Sequence, residues 1–314
     1  MEVAFQIVVI LLLLGSGVLA RRTGMLTRVG TSELAKVLMG IVYPALILYS
    51  IPRKSLSDLT ANWPLPALTM VIALVGLWIG WITIKLVRKM PEQTTRGFLF
   101  HAMINNYLFL PLPIVLLLFG DDGVSLLIFS SVGFEIMLWT VGVFLLAPGT
   151  SLMQRARMSL APPPAALFVA LSIVVVRDLH WIEIPEAPFW QHVRGLAVFA
   201  VETLGKGTVP LSFLVAGSRM ADLHPHFIRD GRIWLASSVR LVAVPVLVLA
   251  LLAYLPISTL ARGVLTVVAV MPSAVASIAF SERFGGDGDF IAGVLLLTHI
   301  GALITVPLFL ALAL

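Results

Sequence analysis

Ten apolar stretches follow one another along the chain with only short polar breaks between them, and no motif the chain carries constrains its fold as much. They run over Val3–Ala20, Leu34–Ile51, Leu65–Val87, Gly97–Phe119, Val124–Leu146, Pro164–Val176, Gly195–Ser218, Trp234–Leu255, Val264–Phe280 and Phe290–Leu314. A helix needs about 20 apolar residues to cross the roughly 30 Å of bilayer hydrocarbon, and most of these runs come close to that length. Of 314 residues, 59% are hydrophobic and 12% charged, against roughly 45–50% and 25% in soluble domains. A water-soluble core cannot absorb that excess, so the solvent is lipid and the expected fold is an all-α polytopic membrane protein. The first run has no basic stretch before it and ends on Arg21-Arg22 without a small-x-small cleavage pattern, so it reads as a retained helix.

The chain has no cysteine, which removes disulfides, thiolate nucleophiles and cysteine-based metal sites together. Its basic excess sits in the short breaks and is better explained by topology than by nucleic acid. With the N-terminus outside, the inner loops collect Arg21, Arg22, Arg28, Lys36, Lys85, Arg88, Lys89, Arg96, Arg155, Arg157, Arg219, Arg229, Arg232 and Arg283, and the outer loops only Arg53, Lys54, Arg177, Arg194 and Arg262. Cytoplasmic loops are the basic ones, so both termini are expected outside.

Shifting the sequence by 166 places Pro44 on Pro210, Arg53 on Arg219, Arg96-Gly97 on Arg262-Gly263 and Gly120-Asp121 on Gly286-Asp287. One gap-free offset serving four matches points to a duplication, with a first repeat over 1–146, a cytoplasmic connection over 147–163 and a second repeat over 164–314. Five helices per repeat is an odd number, so the two repeats are inverted. Inverted repeats usually mean a secondary transporter, with its site near the midplane where interrupted helices meet. The fourth run holds Pro111 and Pro113 just after Asn105-Asn106. Its mate, the ninth, holds Pro272-Ser273. A proline removes a backbone hydrogen bond, so both runs are expected to be broken.

Three segments resemble the auxin efflux carrier family, which includes plant auxin exporters and bacterial malate and malonate permeases. They are Gly17–Leu26 running on to Tyr43-Pro44-Ala45-Leu46; Asn106–Pro113, similar to an Asn-x-x-aromatic-x-Gly-x-Pro segment; and Met271-Pro272-Ser273-Ala274 followed by Phe284-Gly285-Gly286-Asp287. Pro111 stands where the family more often has Gly, and Ala276 near where a polar residue is common. The resemblance implies ten helices in a bile-acid-symporter-like, NhaA-like arrangement. In it helices three to five and eight to ten move as an elevator against a scaffold of one, two, six and seven, with substrate beside the crossing of helices four and nine. The short bacterial members carry malonate or malate, and the connection from Ala147 to Pro163 is too short for a large regulatory loop.

At the crossing, Asn105, Asn106, Pro111, Pro113, Pro272 and Ser273 are the expected substrate-binding residues. Half-helix N-termini and unwound backbone there offer N–H groups to a carboxylate. The competing reading is that the Asn pair bonds a freed carbonyl or a neighbouring helix. Ionisable residues at membrane depth are costly and therefore functional candidates. Glu135 and His299, at nearly mated positions, are expected to form a proton-coupling or bracing pair. His101 shares a face with Asn105. Arg240 is expected either to draw a dicarboxylate inward or to snorkel to the interface. Glu202 and Lys206 read as a neutralised i, i+4 ion pair.

Gly286-Asp287-Gly288-Asp289 formally fits the Gly-x-Gly-Asp pattern of intramembrane aspartyl proteases. Those enzymes need a Tyr-Asp partner, and no tyrosine here precedes Asp. No His-Glu-x-x-His, Walker loop or Gly-x-Ser-x-Gly is present either, so no enzyme is expected. No cofactor or metal is implied; transport draws on a gradient, with H+ and Na+ both open as coupling ions. The expected partners are a small organic anion and the lipid bilayer, not nucleic acid, with a homodimer admissible. An ion or bile-acid-like exchanger of the same fold and an anion channel are the alternatives. An exchanger would carry an Asp pair at the crossing, and neither broken run has one. The expected location is the bacterial inner membrane.

Overall fold

The computed structural model describes residues 12–13, 15–87, 90–107, 110–146, 151, 162–179, 188–221, 229–274, 277 and 287–314. Most of the first expected run, most of the 147–163 connection, Arg88, Lys89, Arg155, Arg157, Ala276, Arg283 and the Phe284-Gly285-Gly286 segment therefore lie outside the described residues.

A helical stretch over 15–22 ends at Gly24, whose φ of +79° is the left-handed conformation a glycine adopts freely. Among the described residues, eleven helices follow. α1 spans Arg28–Arg53, α2 Leu56–Ala61, α3 Pro64–Leu86, α4 Glu92–Met103, α5 Pro111–Leu146, α6 Pro162–Asp178, α7 Pro188–Lys206, α8 Thr208–Ala221, α9 Gly231–Tyr254, α10 Thr259–Val270 and α11 Gly288–Ala313. No strand occurs among the described residues; the one β-type contact is an isolated bridge between Asn105 and Ser273.

Helix starts follow capping chemistry. The Thr27 side chain accepts from the Gly30 N–H at 2.9 Å, which opens α1 six residues before its apolar run. Ser55 and Asp58 form a reciprocal capping box that starts α2, a helix the apolar pattern does not announce. α1, α5 and α9 each contain a π-helical turn, at Leu38–Val42, Leu138–Gly142 and Val239–Ala243. α5 is broken at Gly120, where φ is +63°.

Among the described residues, six stretches are long and apolar enough to cross a membrane: Arg28–Arg53, Leu56–Leu86, Pro111–Leu146, Phe189–Ser218, Gly231–Tyr254 and Gly288–Ala313. α4, α6 and α10 are shorter, at 12, 17 and 12 residues. Large apolar side chains such as Trp78, Phe199 and Ile304 face outward, while His101, Asn106 and Arg240 are buried. That is the reverse of a soluble protein's arrangement and is what a lipid solvent selects. The chain is a polytopic membrane protein.

α1 packs mainly against α6, α7 and α8, and α3, α4, α5, α9, α10 and α11 pack against one another. In the first group Thr31 and Ser218 share a hydroxyl hydrogen bond of 2.6 Å. Thr208 donates to the Val42 carbonyl at 3.2 Å, and Glu202 pairs with Lys206 at 2.7 Å while accepting from Tyr49 at 3.0 Å. In the second group small residues let backbones touch, as lipid-embedded helices require: a Cβ on Gly76 would collide with the Ala102 carbonyl, and one on Gly133 with that of Pro66. The two groups meet where Lys54 pairs with Asp122, where the Ser125 hydroxyl reaches the Ser50 carbonyl at 3.5 Å, and where Tyr43 lies beside Ser131 and Glu135.

Candidate functional site

α4 ends at Met103 and α10 at Val270, and the unwound segments that follow are buried against each other. A buried backbone with no water and no helix must find its hydrogen bonds elsewhere. These two segments supply them mutually, as a short antiparallel pair. The Asn106 N–H donates to the Pro272 carbonyl at 2.7 Å, the Ala274 N–H to the Ile104 carbonyl at 3.3 Å, and Asn105 bridges to Ser273 between them. Pro272, with no N–H of its own, leaves no donor to satisfy. The Ser273 N–H turns away from the pair toward the Thr298 hydroxyl on α11, at 3.4 Å.

The expected binding residues divide here. Asn105, Asn106, Pro272 and Ser273 come together at the meeting point. Asn105 is spent on structure: its side-chain amide donates to the Val268 carbonyl in the last turn of α10 at 2.5 Å, the freed-carbonyl role that competed with substrate contact. Pro111 and Pro113 lie in the first turn of α5, where a proline's missing N–H and fixed φ fit the helix start. They shape that N-terminus and, having no N–H, donate no hydrogen bond themselves. The Ser273 hydroxyl is fully buried with no hydrogen-bond partner among the described residues.

Arg240 also departs from expectation. It points inward from α9, fully buried, and donates to three main-chain carbonyls: Met271 at 3.1 Å, Ala102 at 3.3 Å and Ala269 at 2.5 Å. It does not snorkel, and its fork is occupied by backbone.

The expected pairing of Glu135 with His299 is not formed. Each side chain bonds one turn away on its own helix, Glu135 accepting from the Trp139 indole N–H at 2.7 Å and His299 Nδ1 donating to the Leu295 carbonyl at 2.8 Å. The titratable neighbour of His299 is instead His101. His101 is fully buried, edge-on to Phe100 and Phe290 at ring-centroid distances of 6.0 and 6.5 Å, and neither of its ring nitrogens has a partner among the described residues. His299 Nε2 is likewise unpartnered.

Sequence reasoning missed the hydroxyl set beside the break. The Tyr107 hydroxyl bonds Ser130 at 2.5 Å and Thr69 at 3.4 Å, and its ring stacks on Phe134 at 4.6 Å. Tyr107 is the 166-residue mate of Ser273, and that offset is the signal by which it could have been found. Of the protease-like string, the acid Asp289 lies in the first turn of α11, and Asp287, at the variable position, caps that helix by accepting from the Phe290 N–H at 3.1 Å and also accepts from Thr94 at 2.6 Å. It serves as a helix cap.

Residues 2–155 and 149–310 match the model of a family described as membrane transport protein. An uncharacterised transporter from Methanocaldococcus jannaschii is 22% identical over 306 residues, covering 96% of each chain. Another uncharacterised transporter, from Methanothermobacter thermautotrophicus, is 24% identical over 312 residues, covering 98% of this chain and 96% of the relative. With both halves of the sequence matched and apolar helices enclosing a buried polar crossing, the chain belongs to this membrane transport protein family, the auxin efflux carrier family.

Proposed function

We propose that the protein is a secondary active carrier of a small organic anion, a carboxylate such as malonate or malate, across the bacterial inner membrane. In this reading ten spans form two inverted repeats, and the anion is held where the unwound segments after α4 and α10 meet. The observation that carries it is the fully buried Ser273 hydroxyl, unpartnered among the described residues, set in a backbone bridge between two interrupted helices. A buried polar group without a partner is costly, and a substrate oxygen is a partner that comes and goes. The N-terminus of α5, eight residues after Met103 in the same interrupted run, favours negative charge there.

Two contacts support the repeats. Val42 with Thr208, and Asn106 with Pro272, are hydrogen-bonded pairs, and each is separated by the same 166 residues as the sequence matches. Residues related by a two-fold axis touch each other only beside that axis, so both pairs are where an inverted duplication would put them. Transport then proceeds by sliding of α3–α5 and α9–α11 against α1 and α6–α8, driven by a proton or sodium gradient.

The test is counterflow in proteoliposomes preloaded with malonate, malate or indole-acetate, with and without a pH or sodium gradient. Accumulation of label supported by an unlabelled acid is the expected result. Conductive flux without counterflow would turn the reading toward an anion channel. Asn106→Ala with unimpaired counterflow would remove the crossing from the site.

A further inference from the structure

Arg240 is a fully buried cation, and no carboxylate pairs with it among the described residues. A charge in that position needs compensation. The three carbonyls it binds identify the source. Ala102 lies in the last turn of α4, and Ala269 and Met271 lie at the end of α10. Each helix C-terminus carries roughly half an elementary negative charge. Two such ends sum to about one, and a single guanidinium with rigid, divergent N–H groups reaches both.

Among the described residues, the helix N-terminus at the crossing is that of α5 at Pro111, which is positive. Without a cation, the partial negative charge of the two carbonyl ends would oppose this amide end and weaken its hold on an anion. With the carbonyl ends neutralised, the amide end and the unpartnered Ser273 hydroxyl are what a ligand meets.

We infer that Arg240 is a positioning residue that sets the charge preference of the crossing. By neutralising the ends of α4 and α10 it makes the site favour a carboxylate over a neutral amide of the same shape, without touching the substrate. The inference rests on the reading above that a carboxylate binds at the crossing. Among the described residues, the buried titratable groups beside the break are His101 on α4 and His299 on α11, so the measurement is made at about pH 8, above the ordinary imidazole range.

The experiment uses the full chain in proteoliposomes, with labelled-malonate counterflow competed by malonate and by its neutral diamide, malonamide. Wild type is expected to prefer malonate. Arg240→Met is expected to lower the malonate-to-malonamide ratio by about tenfold or more, the scale of a helix-terminal charge interaction. Arg240→Lys, which restores the charge but not the fork, is expected to keep the ratio within about threefold of wild type. A brace with no electrostatic role would weaken both competitors together. An Arg240→Met protein that retains the wild-type ratio overturns the inference and leaves the carrier reading intact. Where Arg240→Met yields no folded protein, Arg240→Lys decides, and a collapsed ratio in the folded lysine variant overturns it. A wild type that responds to no acid, with acetate against acetamide and malate against malamide also tried, defeats the carboxylate reading itself.

Discussion

The molecule interrupts its helices in two places that stand in the same relation to the duplication, and the outcomes differ. Between α7 and α8 the interruption is Gly207 alone, facing the π turn Leu38–Val42 of α1. The Gly207 N–H returns to the Leu204 carbonyl at 3.0 Å, the Leu211 N–H reaches the Gly207 carbonyl at 3.2 Å, and Thr208 closes on Val42. The space around it is filled by Leu38, Val42 and Val215. At the crossing the backbone is equally well satisfied, by pairing of the two segments, but the side chains there include Ser273 and His101, whose polar atoms are buried without partners among the described residues. An interrupted helix does not by itself make a binding site. The capacity lies in polar groups left over once the backbone has been accommodated.

Substitutions can break or sharpen this contrast. The largest effect is expected at Gly76, where even a methyl group meets the Ala102 carbonyl of the crossing. Gly76→Ala should cost about 3 kcal/mol in an unfolding titration, at the upper end of the overpacking range. Gly205→Ala, whose Cβ would lie 2.9 Å from Leu46 Cα in the other region, should cost less. Asn105→Ala should follow at about 1 kcal/mol, because it leaves the Val268 carbonyl with only the long 3.4 Å bond from the Met271 N–H. Ser273→Ala is the sharpest test: it removes an unpartnered hydroxyl, so stability should be unchanged or raised while counterflow falls by about tenfold, or roughly 1.4 kcal/mol. Thr208→Val should cost about 1 kcal/mol and leave transport within about twofold of wild type. A transport defect there as large as that of Ser273→Ala would erase the distinction between the two regions.

The apolar runs located α3, α6, α9 and α11 to within three residues at each end because run length is a property of sequence. Prolines beside polar residues located both breaks for the same reason. The early start of α1 at Arg28 and the whole of α2 were carried by Thr27 and by Ser55 with Asp58, caps that leave no trace in hydropathy. The partners of Arg240 were hidden more thoroughly. Main-chain carbonyls have no residue identity, so nothing in Ala102, Ala269 or Met271 announces that a guanidinium will lie across them. Glu135 and His299 were misjudged as a pair because mated positions suggest similar depth but say nothing about azimuth around the helix. Each found a nearer partner one turn along its own strand of residues.

The ion pair between Lys54 and Asp122 links the segment after α1 to the start of the helix beyond Gly120, with side-chain exposures of 23% and 72%. Charges so accessible to water are screened within roughly 8 Å at physiological ionic strength. If the two groups of helices slide as proposed, this contact opens and closes once per cycle, and it is one latch on that motion that added electrolyte can loosen. Turnover should therefore quicken as ionic strength rises, and Lys54→Met should run at the fast rate in any buffer. The cadence of the carrier would then be set partly by the salinity of the medium bathing that surface.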